Sequence, residues 1–322
     1  MTINKRIIAI LAVACAVVGI FAGLKISQQS NFDSPKPKII IVEPVLPDAQ
    51  TINSDILLPP IVTPLPIEVV SPSSTEITTR KPDEISAKAY LVGNITTSHI
   101  YSENNSSSIL PVASISKLIT ALTAMSAMSS TTRVTITEEE ATVPPDGSNI
   151  AAGETYSITE LLYPLLLSSS NIAAEAIASS RDRVAFPALM SSYSLEIGML
   201  NTSFADPSGL SSYNRSTAKD LFTLAKYLYD YRPDILALTR TYITGVATTT
   251  DHGSHIFSSI HPFANDPRFI GGKTGRTTAA GETMMTILNI NGQSIVFIVL
   301  GSDIGTREHD TRLLIDKVSG LI

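Results

Sequence analysis

The sequence contains only one cysteine in 322 residues. Cys15 lies inside an apolar run near the amino terminus, so the rest of the chain can form no disulfide. The apolar residues 16–18 that follow it argue against a lipoprotein cleavage site, where polar sequence is expected. A fold stapled by disulfides is therefore excluded.

Positive charge is also scarce. The 23 lysines and arginines stand against 29 aspartates and glutamates, which gives a net charge of −6 and a pI near 5.4. No cluster of basic residues supplies the counterion-release attraction on which nucleic-acid binders depend. We therefore expect no nucleic-acid partner. The sequence has no internal repeat.

An uncharged, apolar run of 18 residues, 7–24, follows Lys5 and Arg6. This length reaches the lower limit for crossing a hydrocarbon core at ~1.5 Å per residue. No clean small-x-small cleavage site follows the run, so residues 1–25 are interpreted as a retained signal anchor, with a cleaved signal peptide as the alternative. The basic side should stay in the cytoplasm, which places the rest of the chain outside the membrane, or secretes it if the signal is cut.

Residues 26–82 are rich in proline, serine and threonine, as in the stretches LPPI and TPLP. This composition predicts an extended linker that is partly polyproline II. At ~3.1 Å per residue, it could reach on the order of 150 Å. The chain is thus predicted to contain a membrane segment, a linker and one folded domain, 83–322.

Within residues 83–322, strand patterns stand at both ends and helix patterns between them. Strands are predicted at 87–93, 98–103, 271–274, 282–289 and 294–300. Helices are predicted after Pro111, after the capping box Ser157 to Glu160 with a kink at Pro164, and at 171–179, 186–197, 217–229 and 308–318. The predicted fold is α+β, an antiparallel sheet built from both chain ends and packed with helices, plus a mostly helical subdomain.

Three short motifs occur in order: Ser114-Ile115-Ser116-Lys117, Ser169-Ser170-Asn171 and Lys273-Thr274-Gly275. The first two patterns are common, and similar ones occur at 216–219, 102–104 and 212–214. The Lys-Thr-Gly tripeptide occurs once, and only the series that begins at Ser114 reaches it through a Ser-x-Asn. This order is typical of a serine acyltransferase site whose general base is a lysine.

The residue types fit that chemistry. Ser114 and Lys117, at i and i+3 of one helix, share a face, so the amine can reach the hydroxyl. A second cation, Lys273, and partial burial are expected to lower the pKa of Lys117. Ser169 can relay a proton and the Asn171 amide can hold a substrate peptide.

An oxyanion hole can be assembled from two backbone groups. The N–H of Ser114 at a helix start could supply one donor, and the N–H of Arg276 on the following strand the other.

The motifs and their surroundings resemble the serine-type D-alanyl-D-alanine carboxypeptidases, the low-molecular-mass penicillin-binding proteins of peptidase family S11 with a β-lactamase/transpeptidase-like fold. The similarity covers residues 87–318 and includes the stretches PVASISKLITALTA, NTSFADPSGL and GGKTGRTTAAG. It implies release of the terminal D-Ala from peptidoglycan stem peptides, acylation by β-lactam antibiotics, no cofactor and no metal. It also implies a bacterial cytoplasmic membrane with the domain on its outer face.

The resemblance further implies a role for each motif residue. In the first motif, Ser114 is the acylated nucleophile and Lys117 is the base. Ser169 and Asn171 form the second catalytic motif, and Lys273, Thr274 and Gly275 form the third, on an edge strand, while Arg307 is the arginine that recognises the substrate carboxylate. Arg276 stands where the family commonly has a histidine or an aromatic residue, and Ser170 where it usually has a glycine. Substrate preference could therefore differ from that of better-known members.

Four other interpretations stay open. A class A β-lactamase needs a glutamate that activates water, but residues 201–212 contain Asp206 and no glutamate. An endopeptidase acting on cross-links would carry the same motifs, and an inactive wall-binding module would keep the fold alone. A zinc site could be drawn from Asp251, His252, His255 and His261, although His252 and His255 are interpreted as solvated loop residues. The sequence leaves the oligomeric state open.

Overall fold

The computed structural model describes residues 83–144 and 147–322. The predicted membrane segment and linker, residues 1–82, lie outside the described residues, and both stay predictions. No helix in the described ranges is long and apolar enough to cross a membrane.

The strands of the described part are, in chain order, β1 (Ala89–Asn94), β2 (Ile100–Asn104), β3 (Leu110–Pro111), β4 (Arg133–Thr135), β5 (Thr155–Ser157), β6 (Arg215–Ser216), β7 (Ile243–Val246), β8 (His255–Ser258), β9 (Phe269–Thr277), β10 (Gly281–Ile290) and β11 (Gln293–Ser302). The α-helices are α1 (Ser116–Ala127), α2 (Glu138–Ala141), α3 (Ile158–Tyr163), α4 (Asn171–Ser179), α5 (Phe186–Glu196), α6 (Ala218–Tyr231), α7 (Pro233–Arg240) and α8 (Arg307–Val318).

Five strands form a central antiparallel sheet in the order β2-β1-β11-β10-β9. Strand β1 pairs with β11 from Ala89↔Leu300 to Asn94↔Ile295, so the start and the end of the domain lie side by side. This confirms the predicted α+β fold with a sheet built from both ends. Strand β9 lies at the edge of the sheet, and the Lys-Thr-Gly motif lies on it.

Alternate residues of the inner strands point to opposite sides of the sheet, and both sides are covered by packed side chains. Phe297 and Val299 of β11 pack with Leu314 of α8 in one cluster. Val296 and Ile298 pack on the other face, in the larger core shared with the helices. The sequence pattern of near-continuous apolar residues in β10 and β11 follows from this double burial.

Helix α1 runs through the middle of the larger core, and residues 115–124 are all buried. The capping box Ser157 to Glu160 starts α3 as predicted, since each residue's side chain accepts a hydrogen bond from the other's backbone N–H. Pro164 then begins a π-helical turn, Pro164–Ser168, in place of regular α-helix. Regular α-helix thus ends at Tyr163, just before the residue at which the kink was predicted. Helix α7 and the hairpin β7/β8 were not predicted.

Candidate active site

The proposed nucleophile lies in a tight turn. Ser114 is the middle residue of a 3₁₀ turn, Ala113–Ile115, that leads directly into α1. Ala113 adopts a φ of 49°, which turns the chain sharply just before Ser114. Lys117 follows one turn later, and its Nζ lies 3.0 Å from Ser114 Oγ. The structure thus brings the serine and the lysine of the first motif into hydrogen-bond contact.

The Lys117 side chain is completely buried, and its Nζ has further hydrogen-bond acceptors. Nζ donates to Asn171 Oδ1 at 2.8 Å and to the carbonyl oxygen of Ser208 at 2.5 Å. Asn171 was predicted as a site residue, whereas Ser208 was not. The amine is therefore held in place by groups from three separate parts of the chain.

The Ser208 carbonyl is positioned by a turn that Asp206 organises. Asp206 Oδ1 accepts from the backbone N–H groups of Ser208 (2.7 Å) and Gly209 (2.5 Å), and Oδ2 accepts from Ser211 N–H (2.6 Å). Gly209 has a φ of 87°, and a Cβ there would lie 2.2 Å from the carbonyl oxygen of Ala113. Only glycine permits this close approach. The sequence signal was the turn-forming run Asp-Pro-Ser-Gly at 206–209.

The second motif follows the π-helical turn. Ser169 adopts a left-handed conformation with a φ of 63°, which ends the turn and points the chain into α4. Ser170 is the N-cap of α4, since its Oγ accepts from Ala173 N–H at 3.0 Å. A glycine at this position would lack that cap. Asn171 is the first residue of α4, and its Nδ2 donates to the Pro144 carbonyl at 3.2 Å.

The third motif brings a second buried lysine to the site. Lys273 on β9 is 1% exposed, and its Nζ donates to Ser169 Oγ at 2.8 Å and to the Thr274 carbonyl at 3.0 Å. Burial holds the pKa of Lys273 well below its ordinary value, and the charges of Lys117 and Arg307 act in the same direction. Loss of the proton from this amine is therefore favoured over loss from an exposed lysine.

Strand β9 lies very close to the nucleophile turn. A Cβ on Gly275 would lie 2.8 Å from Ser114 N and 2.9 Å from Ala113 Cβ. The glycine therefore lets the backbone of β9 approach the Ser114 N–H. Two predicted oxyanion donors, the N–H groups of Ser114 and Arg276, belong to these two adjoining segments.

One cleft contains most of the predicted site residues. Its lining comprises Ser114, Ser168, Ser169, Asn171, Leu210, Ile260, Thr274, Gly275, Arg276 and Arg307. Leu210 and Ile260 were not predicted, and both are partly exposed apolar side chains on loops, for which the sequence offered no periodic signal. Arg307, the first residue of α8, donates from Nη1 to the Gly275 carbonyl at 2.9 Å, and its Nε lies 3.9 Å from Glu282 Oε2.

The residues considered for zinc are engaged elsewhere. His252 is 5% exposed and stacks on Tyr156 with ring centroids 4.4 Å apart, and His255 lies on β8 and contacts Glu154 at 2.8 Å. Both histidines were interpreted as solvated loop residues, but His252 is buried within its loop and His255 is a partly buried residue of a strand. His261 is also buried, which lowers its pKa to about 3. Within 83–144 and 147–322, no group of three or more His, Cys, Asp and Glu side chains could hold a metal ion.

The sequence is similar to a known protein family and to two of its characterised members. A family model described as D-alanyl-D-alanine carboxypeptidase, peptidase S11, matches residues 76–304. The D-alanyl-D-alanine endopeptidase of Haemophilus influenzae is 35% identical over 164 residues, which are 49% of this chain and only 56% of that protein. The D-alanyl-D-alanine endopeptidase of Escherichia coli strain K12 is 28% identical over 252 residues, 74% of this chain and 78% of that protein.

A solved structure shows the same fold. Penicillin-Binding Protein D2 from Listeria monocytogenes, in the cefotaxime-bound form, superposes with a TM-score of 0.62 at 25% identity, over 74% of this chain and 97% of that one.

Proposed function

The chain belongs to the D-alanyl-D-alanine carboxypeptidase family, peptidase S11, and we propose that it hydrolyses peptidoglycan stem peptides through an acyl-enzyme on Ser114. The observation that carries this proposal is the contact of 3.0 Å between the buried Lys117 Nζ and the Oγ of Ser114, which lines the cleft. A serine hydroxyl becomes a useful nucleophile only when a neighbouring base takes its proton.

The contacts of Lys117 suit the role of base. A neutral amine has two N–H groups and one lone pair, and the oxygens of Asn171 and Ser208 can accept both N–H groups. The lone pair is then directed at Ser114 Oγ. During acylation the hydroxyl proton passes to Lys117 Nζ, the Ser114 Oγ–C bond forms, and the scissile C–N bond breaks.

The leaving amine must receive a proton, and Ser169 is proposed to deliver it. Its hydroxyl accepts from Lys273 at 2.8 Å and lines the cleft beside Ser114, so it can pass a proton from the lysines to the departing nitrogen. Water then cleaves the ester and restores Ser114. The N–H groups of Ser114 and Arg276 are proposed to stabilise the oxyanion in both steps.

Substrate binding is proposed along β9. As the edge strand of the sheet, β9 can pair with an extended peptide by adding it as a further strand. Thr274 and Arg307 lie in the cleft where the carboxylate of the substrate would arrive, and a guanidinium binds a carboxylate through two parallel hydrogen bonds. β-Lactams carry a carboxylate and a reactive carbonyl, so they are expected to acylate Ser114 as well.

Two activities fit this site. Release of the terminal D-Ala agrees with the description of the matching family model, whereas cleavage of cross-links agrees with the names of both endopeptidase relatives. We propose that the domain works on the outer face of the bacterial cytoplasmic membrane, because its proposed substrate lies there. The membrane segment proposed for this attachment is within residues 1–25.

The first test is covalent labelling of the full-length protein in detergent with a fluorescent penicillin, followed by denaturing electrophoresis. Stable labelling that is lost in Ser114→Ala and kept in Ser108→Ala, an exposed serine of the preceding loop, supports the acyl-enzyme. Rapid decay of the label would indicate a β-lactamase. No labelling of the wild type would favour an inactive wall-binding module.

The choice between the two activities needs natural substrates. Purified pentapeptide muropeptides and cross-linked dimers, incubated with the same protein, would release D-Ala in the first case and monomers in the second. Mass spectrometry distinguishes these products directly.

A further inference from the structure

Arg276 is an exposed arginine that is unpaired among the described residues. It follows Gly275 on β9, lines the cleft with Ser114 and Arg307, and is exposed. Among residues 83–144 and 147–322, no side chain forms a hydrogen bond or an ion pair with its guanidinium. Most other arginines near the sheet are paired, for example Arg268 with Asp266.

The nearest candidate partner serves a different arginine. Glu282 is directly opposite Arg276 in the β9/β10 pairing, but its buried carboxylate lies 3.9 Å from Arg307 Nε. Burial lowers the pKa of Arg307, and the charge of Arg276 acts in the same direction. The guanidinium groups of Arg276 and Arg307 thus repel each other at one end of the cleft, while the carboxylates of Glu282 and Glu308 both act on Arg307.

A substrate that ends in D-Ala would supply one further carboxylate, and Arg307 with Thr274 would bind it. The second positive charge would remain unpaired. A leaving group from a cross-linked peptide is larger, because its amine belongs to a diamino acid of a second stem peptide that carries additional carboxylates. Arg276, exposed and just past Gly275, lies where such a leaving group would extend toward solvent.

We infer that Arg276 is a specificity determinant that binds a second carboxylate of the leaving group, so that the enzyme prefers acidic, cross-linked acceptor peptides to a single D-Ala. This inference rests on the proposed DD-peptidase function. The leaving amine still departs by cleavage of the same C–N bond. Arg276 contributes through its side chain, independently of its backbone N–H.

A matched pair of synthetic substrates isolates the second carboxylate. Acylated D-Ala-D-Glu and D-Ala-D-Gln have leaving groups of nearly equal size that differ by one negative charge. With the full-length wild type we expect kcat/KM to be about five- to tenfold higher for the D-Glu substrate, and this ratio to fall with added salt because the site is exposed.

Three variants then assign the effect. Arg276→Gln should bring the ratio to about one, and Arg276→Lys should keep part of it, since the point charge remains without the planar fork. Arg268→Gln is the control, because it removes an exposed arginine at the other end of β9 and should leave the ratio unchanged. The ratio is the readout because a general structural defect would lower both substrates equally.

Each outcome decides between the proposals. The inference would be overturned by a wild-type kcat/KM ratio of about one, or by an equal loss of kcat/KM on both substrates in Arg276→Gln. Penicillin labelling of Ser114 in the same preparations would still support the proposed function. Absence of both labelling and cleavage would overturn the proposed function, and the inference with it. For each protein, the rate of cleavage of cross-linked dimers can be divided by its rate on the D-Gln substrate. A higher value for wild type than for Arg276→Gln would extend the result to the natural polymer.

Discussion

A methyl group on Gly275 would collide with the turn that carries the nucleophile. The added Cβ would lie 2.5 Å from Thr283 Oγ1 and 2.8 Å from Ser114 N, whereas ordinary contact begins near 3.4 Å. The separation from Ser114 N must therefore grow by about 0.6 Å. Thr283 cannot simply rotate away, because its Oγ1 donates to the Val112 carbonyl at 3.0 Å. The turn also lies close to Gly209, where an added Cβ would be 2.2 Å from the Ala113 carbonyl oxygen.

The displacement acts on catalysis more than on folding. Misplacing reacting groups by about 1 Å can cost ~10²-fold in rate, and losing one oxyanion donor costs ~10²–10³-fold. Overpacking of a core typically costs ~1–3 kcal/mol of stability. We expect Gly275→Ala to slow acylation by fluorescent penicillin by about 100-fold, while the free energy of unfolding falls by about 1–3 kcal/mol.

The assay is the second-order rate of labelling, measured beside urea unfolding of the same preparations. Gly245→Ala is the matched control, since it also adds a methyl group to a strand, but that Cβ would meet only the His255 carbonyl at 3.6 Å. The control should label at the wild-type rate. If folded Gly275→Ala also labels at the wild-type rate, the close approach of β9 does not position the Ser114 N–H, and the proposed oxyanion hole is wrong.

Three further substitutions probe the surroundings of the site. Asp206→Asn replaces one oxygen with a donor, so the turn that presents the Ser208 carbonyl loosens, and labelling should slow by about tenfold or more. Ser170→Ala removes the N-cap of α4 and should lower the free energy of unfolding by ~1 kcal/mol in urea titration. For His261, burial lowers the pKa from 6.5 to about 3. The unfolded chain therefore binds a proton between these pH values that the folded chain does not. Stability is consequently lost as pH falls through this window, by up to ~1.4 kcal/mol per pH unit, and His261→Gln should flatten the slope measured between pH 6 and 4. An unchanged slope would contradict the buried neutral imidazole.

The residues that the sequence revealed are those with a local signature. Ser114 and Lys117 meet because three positions along a helix return to the same face. The capping box at Ser157 and the apolar strands β10 and β11 could likewise be predicted from short stretches of sequence. Lys273 could be placed on an edge strand only through the family resemblance, because strand order depends on contacts between distant segments.

The features that were missed have no side-chain signature. Ser208 contributes a backbone carbonyl, which any residue could supply, and its position depends on the turn around Asp206. His252 and His255 looked like solvated loop residues because glycine and serine surround them, yet His252 is buried against Tyr156 and His255 is paired in β8 and partly buried. The position of the Ser208 carbonyl and the environments of the two histidines depend on tertiary packing, which cannot be predicted from a local sequence pattern.

The turn at Asp206 also bears on the choice between a peptidase and a β-lactamase. A class A β-lactamase keeps a carboxylate from this part of the chain free to activate the deacylating water. Here both oxygens of Asp206 accept hydrogen bonds from backbone N–H groups within the turn, and none of the described residues that line the cleft is an aspartate or glutamate. The nearby Glu175 is buried and paired with Arg183 at 3.1 Å, outside the cleft lining. The Asp206 carboxylate is thus committed to the turn that presents the Ser208 carbonyl to Lys117, and we predict that a penicillin label on Ser114 is lost slowly.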